Sequence, residues 1–169
     1  EKPVAVDAPG VRRILAACEE AKKKGLCVVS GLNGRYSFKM QELVQRIHDG
    51  AIGEVLALHA ARYGGGVWTR PREPGMTDMQ HQMMNWYYYT WLSGDFNVEQ
   101  FVHQLDRMAW VMKDRYPEAC YSTGGRQART GAEHGHIYDH FASVFEYPNG
   151  VRVFTTTRHQ RGCSNVSKS

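Results

Sequence analysis

Glu99, His103, Asp106 and Trp110 recur at steps of four, three and four residues, the spacing that places side chains on one stripe of a helix. A carboxylate one turn before an imidazole can hold the ring by one nitrogen and favour its protonated form. An imidazole held that way can exchange a proton with a substrate hydroxyl near neutral pH. An ordinary surface ion pair has the same spacing, so the pattern by itself leaves both readings standing. The helix that must carry this stripe follows Gly94 and Asp95. Asn97 is the expected N-cap, with Val98, Phe101, Val102, Leu105, Ala109 and Met112 as the apolar side. It is predicted to run unbroken to about Lys113.

Other chemistry-bearing groups are less organised. His134, His136, Asp139 and His140 match no specific zinc spacing, and no metal is assigned to them. A metal-dependent hydrolase or isomerase built on that cluster ranks third among the functional readings. Gly64-Gly65-Gly66 and Gly124-Gly125 lack the phosphate-loop pattern, and no GxSxG or cysteine nucleophile occurs. No GxGxxG follows a first strand. The four cysteines form no CxxC pair, and Cys18 and Cys27 read as small core residues, which leaves the compartment open.

Bulk properties narrow the field further. The 169 residues carry 21 Lys and Arg against 17 Asp and Glu, a net charge of +4 without a concentrated basic stripe. The aromatic run Trp86-Tyr87-Tyr88-Tyr89-Thr90-Trp91 could stack on bases, but without such a stripe a nucleic-acid role is disfavoured. No apolar run reaches the length of a membrane span, and no membrane partner is expected. The chain lacks a starting Met and opens on what reads as a strand already in progress, which predicts a fragment or a processed product.

The elements that must position these groups can be taken in order. Val4-Ala5-Val6 reads as a strand, Asp7 caps a helix with Pro9 in its first turn, and Leu26-Cys27-Val28-Val29-Ser30 reads as a buried parallel strand. Together they predict a βαβ unit whose second strand opens into the loop carrying Arg35. A second helix starts at Ser37, and a strand covers Glu54 to Tyr63. Residues 67–93 predict a long ordered loop with a helical turn or two. Ala119 to Thr123 reads as a strand. Phe141 to Tyr147 and Val151 to Thr157 flank Pro148-Asn149-Gly150, the strongest hairpin signal in the chain. The expected class is α+β with an α/β start.

In this order the residues resemble the glucose–fructose oxidoreductase / inositol dehydrogenase (Gfo/Idh/MocA) family. The resemblance rests on Glu1-Lys2-Pro3, Arg35 before a helix, Ile52-Gly53-Glu54-Val55, Gly64 to Trp68, Asn85 to Tyr87, and Gly94…Glu99…His103…Asp106. It implies residues 1–36 as the end of a dinucleotide-binding Rossmann domain and 37–169 as an antiparallel-sheet substrate domain with a catalytic helix. It also implies NAD or NADP as cofactor and hydride transfer to or from a sugar, cyclitol or related hydroxy compound. By the same resemblance Lys2, His103 and Glu99 are catalytic, and Glu1, Lys2, Pro3 and Arg35 bind cofactor. Trp68, Arg70, Tyr87 and Asp95 are candidate substrate contacts. A homo-oligomer is implied through an open sheet face, for which Phe141, Val144, Phe145, Val151 and Phe154 are the expected residues. The alternative is a non-catalytic carbohydrate-binding or scaffolding module.

Overall fold

The computed structural model describes residues 2–169, and Glu1 lies outside them. These residues form two compact units, each gathered from separate stretches of chain. One holds residues up to Gly31, Thr69–Gln100 and Gly131–Ile137; the other holds Leu32–Trp68, Phe101–Thr130 and Tyr138–Ser169. No helix of the described residues is long and apolar enough to cross a membrane.

The first unit is helical. Helix α1 (Ala8–Lys23) forms as its signals predict: the Asp7 carboxylate accepts the Gly10 N–H at 2.7 Å, Pro9 lies in the first turn, and Lys22 and Lys23 lie in the last. The two flanking strands do not form. Residues 4–6 and 26–30 make no ladder, and Leu26, Val28 and Val29 are each more than half exposed. A parallel strand needs a neighbouring ladder and cover on both faces, and Leu26, Val28 and Val29 lack that cover. Cys27 is accordingly exposed rather than core.

The second unit is built on a five-stranded, mostly antiparallel sheet, so the α+β class holds. Between α2 (Phe38–His48) and α6 below come β1 (Ala57–Gly64) and, in the first unit, the helical segments α3 (Asp78–Met84), α4 (Thr90–Ser93) and α5 (Phe96–Glu99). Helix α6 (Val102–Val111) then leads to β2 (Ala119–Gly125), β3 (His140–Glu146), β4 (Arg152–His159) and β5 (Val166–Lys168). Strand order is β2-β3-β4-β1-β5, with only β1 and β4 parallel. The β3–β4 hairpin turns at Gly150, whose φ of +79° suits a residue without Cβ, and Gly150 N–H bonds the Tyr147 carbonyl at 2.9 Å.

One face of the sheet packs on α6, where Phe101, Leu105, Met108 and Met112 meet Ala60, Tyr147, Val151 and Val153. The opposite face carries His59, Phe154, Val144 and Tyr121 in register across β1, β4, β3 and β2. Of the five apolar residues expected on that open face, Val144 and Phe154 lie there. Strand alternation sends Phe145 into the core and Val151 is buried there too, while the Phe141 ring packs on Tyr138 with centroids 5.4 Å apart.

At one end of the hairpin strands Asp139 is fully buried. Its Oδ2 accepts the N–H groups of Gln127, Ala128 and Arg129 at 2.7, 2.6 and 2.8 Å, and His140 Nδ1 meets its Oδ1 at 2.7 Å. Burial pushes the carboxyl up, but these donors outweigh it and hold it well below the usual carboxylate range. Arg129, also buried, donates to the Tyr138 carbonyl and to His159 Nδ1, each at 2.8 Å. Burial and then the Arg129 cation lower the His159 pKa to about 3, so the ring is neutral and accepts at Nδ1.

The sign of the pH dependence follows. His159 takes its proton near ~6.5 in the unfolded chain, and only near 3 in the fold. The unfolded state therefore binds more protons between those limits, and stability falls as pH drops through that window. Asp139, also depressed in the fold, adds a loss that starts near ~4 on acidification. Thermal melts by circular dichroism should show Tm falling from about pH 7 to about pH 4. His159→Gln keeps an acceptor for Arg129 and should flatten that fall; an unaltered slope would exclude His159 as its source.

Candidate active site

Lys2 and Glu99, 97 residues apart in sequence, meet in the first unit. Lys2 Nζ lies 2.6 Å from Glu99 Oε1 and also donates to the Glu99 backbone carbonyl. Both side chains are largely withdrawn from water, 22% and 12% exposed. The Lys2–Pro3 peptide is cis. Glu99 ends α5, whose N-cap is Asp95 rather than the expected Asn97: its Oδ1 accepts the Phe96 N–H at 2.6 Å. Gly94 before it has φ +71°, and a Cβ there would come within 2.8 Å of the Val98 side chain and 3.0 Å of the Val6 carbonyl. Only glycine fits that turn.

The helix expected to run unbroken from Asn97 does not. It stops at Glu99 and restarts at Val102, with Gln100 and Phe101 between. Phe96 and Phe101 are both essentially buried. On a straight helix a five-residue step turns by about 140°, so one face could not hold both rings. The partner that the structure gives Glu99 is Lys2.

In the second unit His103, Asp106 and Trp110 share α6 at steps of three and four residues. Arg35, from the short turn Asn33–Tyr36, reaches this stripe. Its Nε donates to Asp106 Oδ1 at 2.8 Å, its two terminal nitrogens reach the Asp114 carboxylate at 3.1 and 2.6 Å, and the guanidinium lies 5.4 Å from the Trp110 ring centroid. The Asp114 bond comes first in raising the Arg35 pKa, and the same bond lowers that of Asp114. Burial pushes Asp106 up while the bond from Arg35 pulls it back, with a net rise.

The remaining candidates divide by exposure. Trp68 and Arg70 are exposed. The Arg70 backbone is held by buried Asn85, whose amide oxygen accepts its N–H at 2.8 Å and whose amide nitrogen donates to its carbonyl at 3.1 Å. Tyr87 is buried, its hydroxyl donating to Gln100 Oε1 at 3.2 Å. Asp95 is buried and its carboxylate caps α5. Asp139 is committed to the loop 127–129, and His136 Nδ1 to Thr90 at 3.2 Å. Glu1 lies outside the described residues, and Pro3 is half-buried beside Lys2. The Arg35 partners and the Lys2–Glu99 pair were invisible to spacing, because each joins residues 71 to 97 positions apart.

Residues 40–164 match the GFO/IDH/MocA C-terminal domain, and the chain belongs to that family. It is 32% identical over 155 residues to an inositol 2-dehydrogenase of Ralstonia nicotianae, covering 90% of this chain and 38% of that protein. It is 26% identical over 150 residues to a 2,7-anhydro-N-acetylneuraminate hydratase of Escherichia coli, covering 89% of this chain and 36% of that one. The WlbA dehydrogenase of Bordetella pertussis, solved with NADH and UDP-GlcNAcA, shares the fold: TM-score 0.72 at 19% identity, over 98% of this chain and 44% of that chain. The chain thus spans less than two fifths of the length of these curated relatives.

The Lys2–Glu99 contact should register energetically. In a double-mutant cycle of Lys2→Met and Glu99→Gln, denaturant unfolding should give a coupling of about 1–2 kcal/mol, between an exposed ion pair and a fully buried one. A coupling below ~0.3 kcal/mol would reduce the pair to an ordinary surface contact.

Proposed function

We propose that this chain supplies the substrate-handling residues of an NAD(P)-dependent oxidoreductase acting on a sugar, cyclitol or related hydroxy compound. The observation that carries the reading is the Lys2–Glu99 pair, which joins a family-type Glu-Lys-Pro lysine to an acidic residue near the helix of His103, in a chain of this family. The inositol 2-dehydrogenase relative supports the substrate class.

The residues fit the nicotinamide end of such a cofactor: a reacting carbinol calls for a donor to its oxygen, which a withdrawn ammonium offers, and an acceptor for its proton, which an imidazole offers. They do not cradle a pyrophosphate, because the α1 N-terminus is closed by the Asp7 carboxylate. A bound nicotinamide would supply the acceptor for the hydride of the carbinol carbon. His103 takes the hydroxyl proton as the C–O bond becomes a carbonyl, and returns it in the reverse direction. Lys2 donates a hydrogen bond to the reacting oxygen while negative charge develops there, and Glu99 holds the ammonium in place. Trp68 offers an exposed ring for the apolar face of a sugar, and Arg70, Tyr87 and Asp95 are the further candidates. Arg35 and Pro3 are proposed on the cofactor side, with residues 1–36 as the end of a nucleotide-binding domain and 37–169 as the substrate domain.

Proton transfer belongs to the transition state, so His103→Ala should lower kcat by ~10²–10⁴ with little change in KM. Steady-state kinetics of a full-length version, with NAD or NADP and inositol or an aldose, checks this, and near-normal kcat in His103→Ala would refute the acid–base role.

The open sheet face is proposed to pack on a second copy of the chain. The ridge His59–Phe154–Val144–Tyr121 crosses four adjacent strands in register, and a two-fold axis through it would bury the same ridge on both sides. Sedimentation should show a dimer or larger assembly that Phe154→Asp dissociates; a monomer at high concentration before the substitution would contradict the proposal.

A further inference from the structure

We propose that the second unit holds a binding site for a small organic anion with an apolar body. It lies in the cleft where the ends of α2 and α6 meet the β3–β4 turn and the approach to β1. His103 is at the opposite end of α6, so this is a different site from the proposed acid–base group.

The cleft has a volume of about 490 Å³, within the usual size range of small-ligand sites. Its floor is apolar. Ile47 comes from the end of α2, Val55 from the approach to β1, Val111 and Met112 from the end of α6, and Val151 from the hairpin. Met112 and Val151 are buried and the other three half-buried, so the floor is continuous with the packed core. Its mouth is open: Gly50, Gly53 and Gly150 line it, and a Cβ built on any of them meets nothing within 4 Å.

Charge decides the class of ligand. Lys113 and Arg115 line the cleft, both are exposed, and among the described residues no carboxylate pairs with either. The nearby acids are engaged or outnumbered. Asp114, between them in sequence, gives both carboxylate oxygens to Arg35 at 3.1 and 2.6 Å. Asp49, just past α2, accepts from Gln45 Nε2 at 2.8 Å. Glu54 is the one acid among the lining residues, set against two cations. His48 Nε2 is spent on the Trp110 and Val111 carbonyls at 3.0 and 3.1 Å. An anion seated on the apolar floor would meet two unpaired cations where water is partly excluded, and charge attraction is stronger there than on an open surface.

The backbone supplies a second observation. Lys113 and Asp114 are both left-handed, with φ of +57° and +56°, a region that is costly for a residue with a Cβ. The turn closes α6: the Lys113 N–H bonds the Trp110 carbonyl at 2.9 Å and the Asp114 N–H the Ala109 carbonyl at 2.8 Å. Glycine closes a helix this way without strain. Asp114 has its Arg35 contact to offset the cost. Lys113 has no such bond among the described residues, and its side chain lines the cleft. Strain kept where a side chain reaches a cavity is the pattern of a functional position.

The test titrates the 169-residue chain with phenylacetate, its neutral isostere phenylacetamide, and acetate, following the amide NMR signals of Gly50, Gly53 and Gly150. Phenylacetate should saturate near ~1 mM, the affinity of so small a ligand. Phenylacetamide and acetate should each bind at least about fivefold more weakly, since one lacks the charge and the other the apolar body. Lys113→Ala and Arg115→Ala should each weaken phenylacetate by about two- to fivefold and leave phenylacetamide unchanged. Lys113→Gly should lose the same affinity yet melt no lower than the parent, because glycine relieves the left-handed strain. Equal binding of phenylacetate and phenylacetamide overturns the proposal. So does acetate matching phenylacetate, which would reduce the site to surface cations. Absence of saturation by ~10 mM, or a lower melting temperature for Lys113→Gly, overturns it as well.

Discussion

A carboxylate taken out of water must be met by a cation or by N–H groups, and this chain solves that problem three ways. Glu99 is 12% exposed and is met by the Lys2 ammonium; Asp106, at 9%, by the Arg35 fork; Asp139, at 0%, by three successive backbone amides. The partner type decides what each acid can do. Amides of a closed loop cannot leave, so Asp139 is a permanent anchor, and its neighbour His159 stays neutral under Arg129. A guanidinium locked between two carboxylates holds direction as well as charge. An ammonium on a flexible stem has three donors and no preferred plane, so the Lys2–Glu99 contact is the least directional of the three.

How much of this was legible depended on sequence distance. The hairpin was readable because Asn149-Gly150 sits between two β-branched and aromatic runs, and both strands formed within about a residue or two of expectation. Helix α1 announced itself through Asp7, Pro9 and the closing lysines. The parallel pairing of β1 with β4 had no local signal, since Ala57 meets Arg152. The strands expected at residues 4–6 and 26–30 had the right composition, but a ladder is a property of neighbours and composition cannot show them.

The same reasoning explains the site. His103, Asp106 and Trp110 were found as one stripe because α6 is continuous through them, and Arg35 was singled out without its partners. The break after Glu99 was hidden because neither Gln100 nor Phe101 is a helix breaker. Two buried rings, Phe96 and Phe101, at a spacing that one helical face cannot serve, are the signal that could have exposed it. A periodicity that fits a stripe of apolar residues on average does not guarantee that its largest members share a face.

Of the groups proposed to handle the proton, Lys2 and Glu99 meet each other and His103 has a definite position on α6. The longest helix opens on a carboxylate, so its N-terminal N–H groups face Asp7 and not an anionic ligand. Side chains already held by protein partners need little reorganisation when a ligand arrives, and that prior orientation is what a pair such as Lys2–Glu99 supplies.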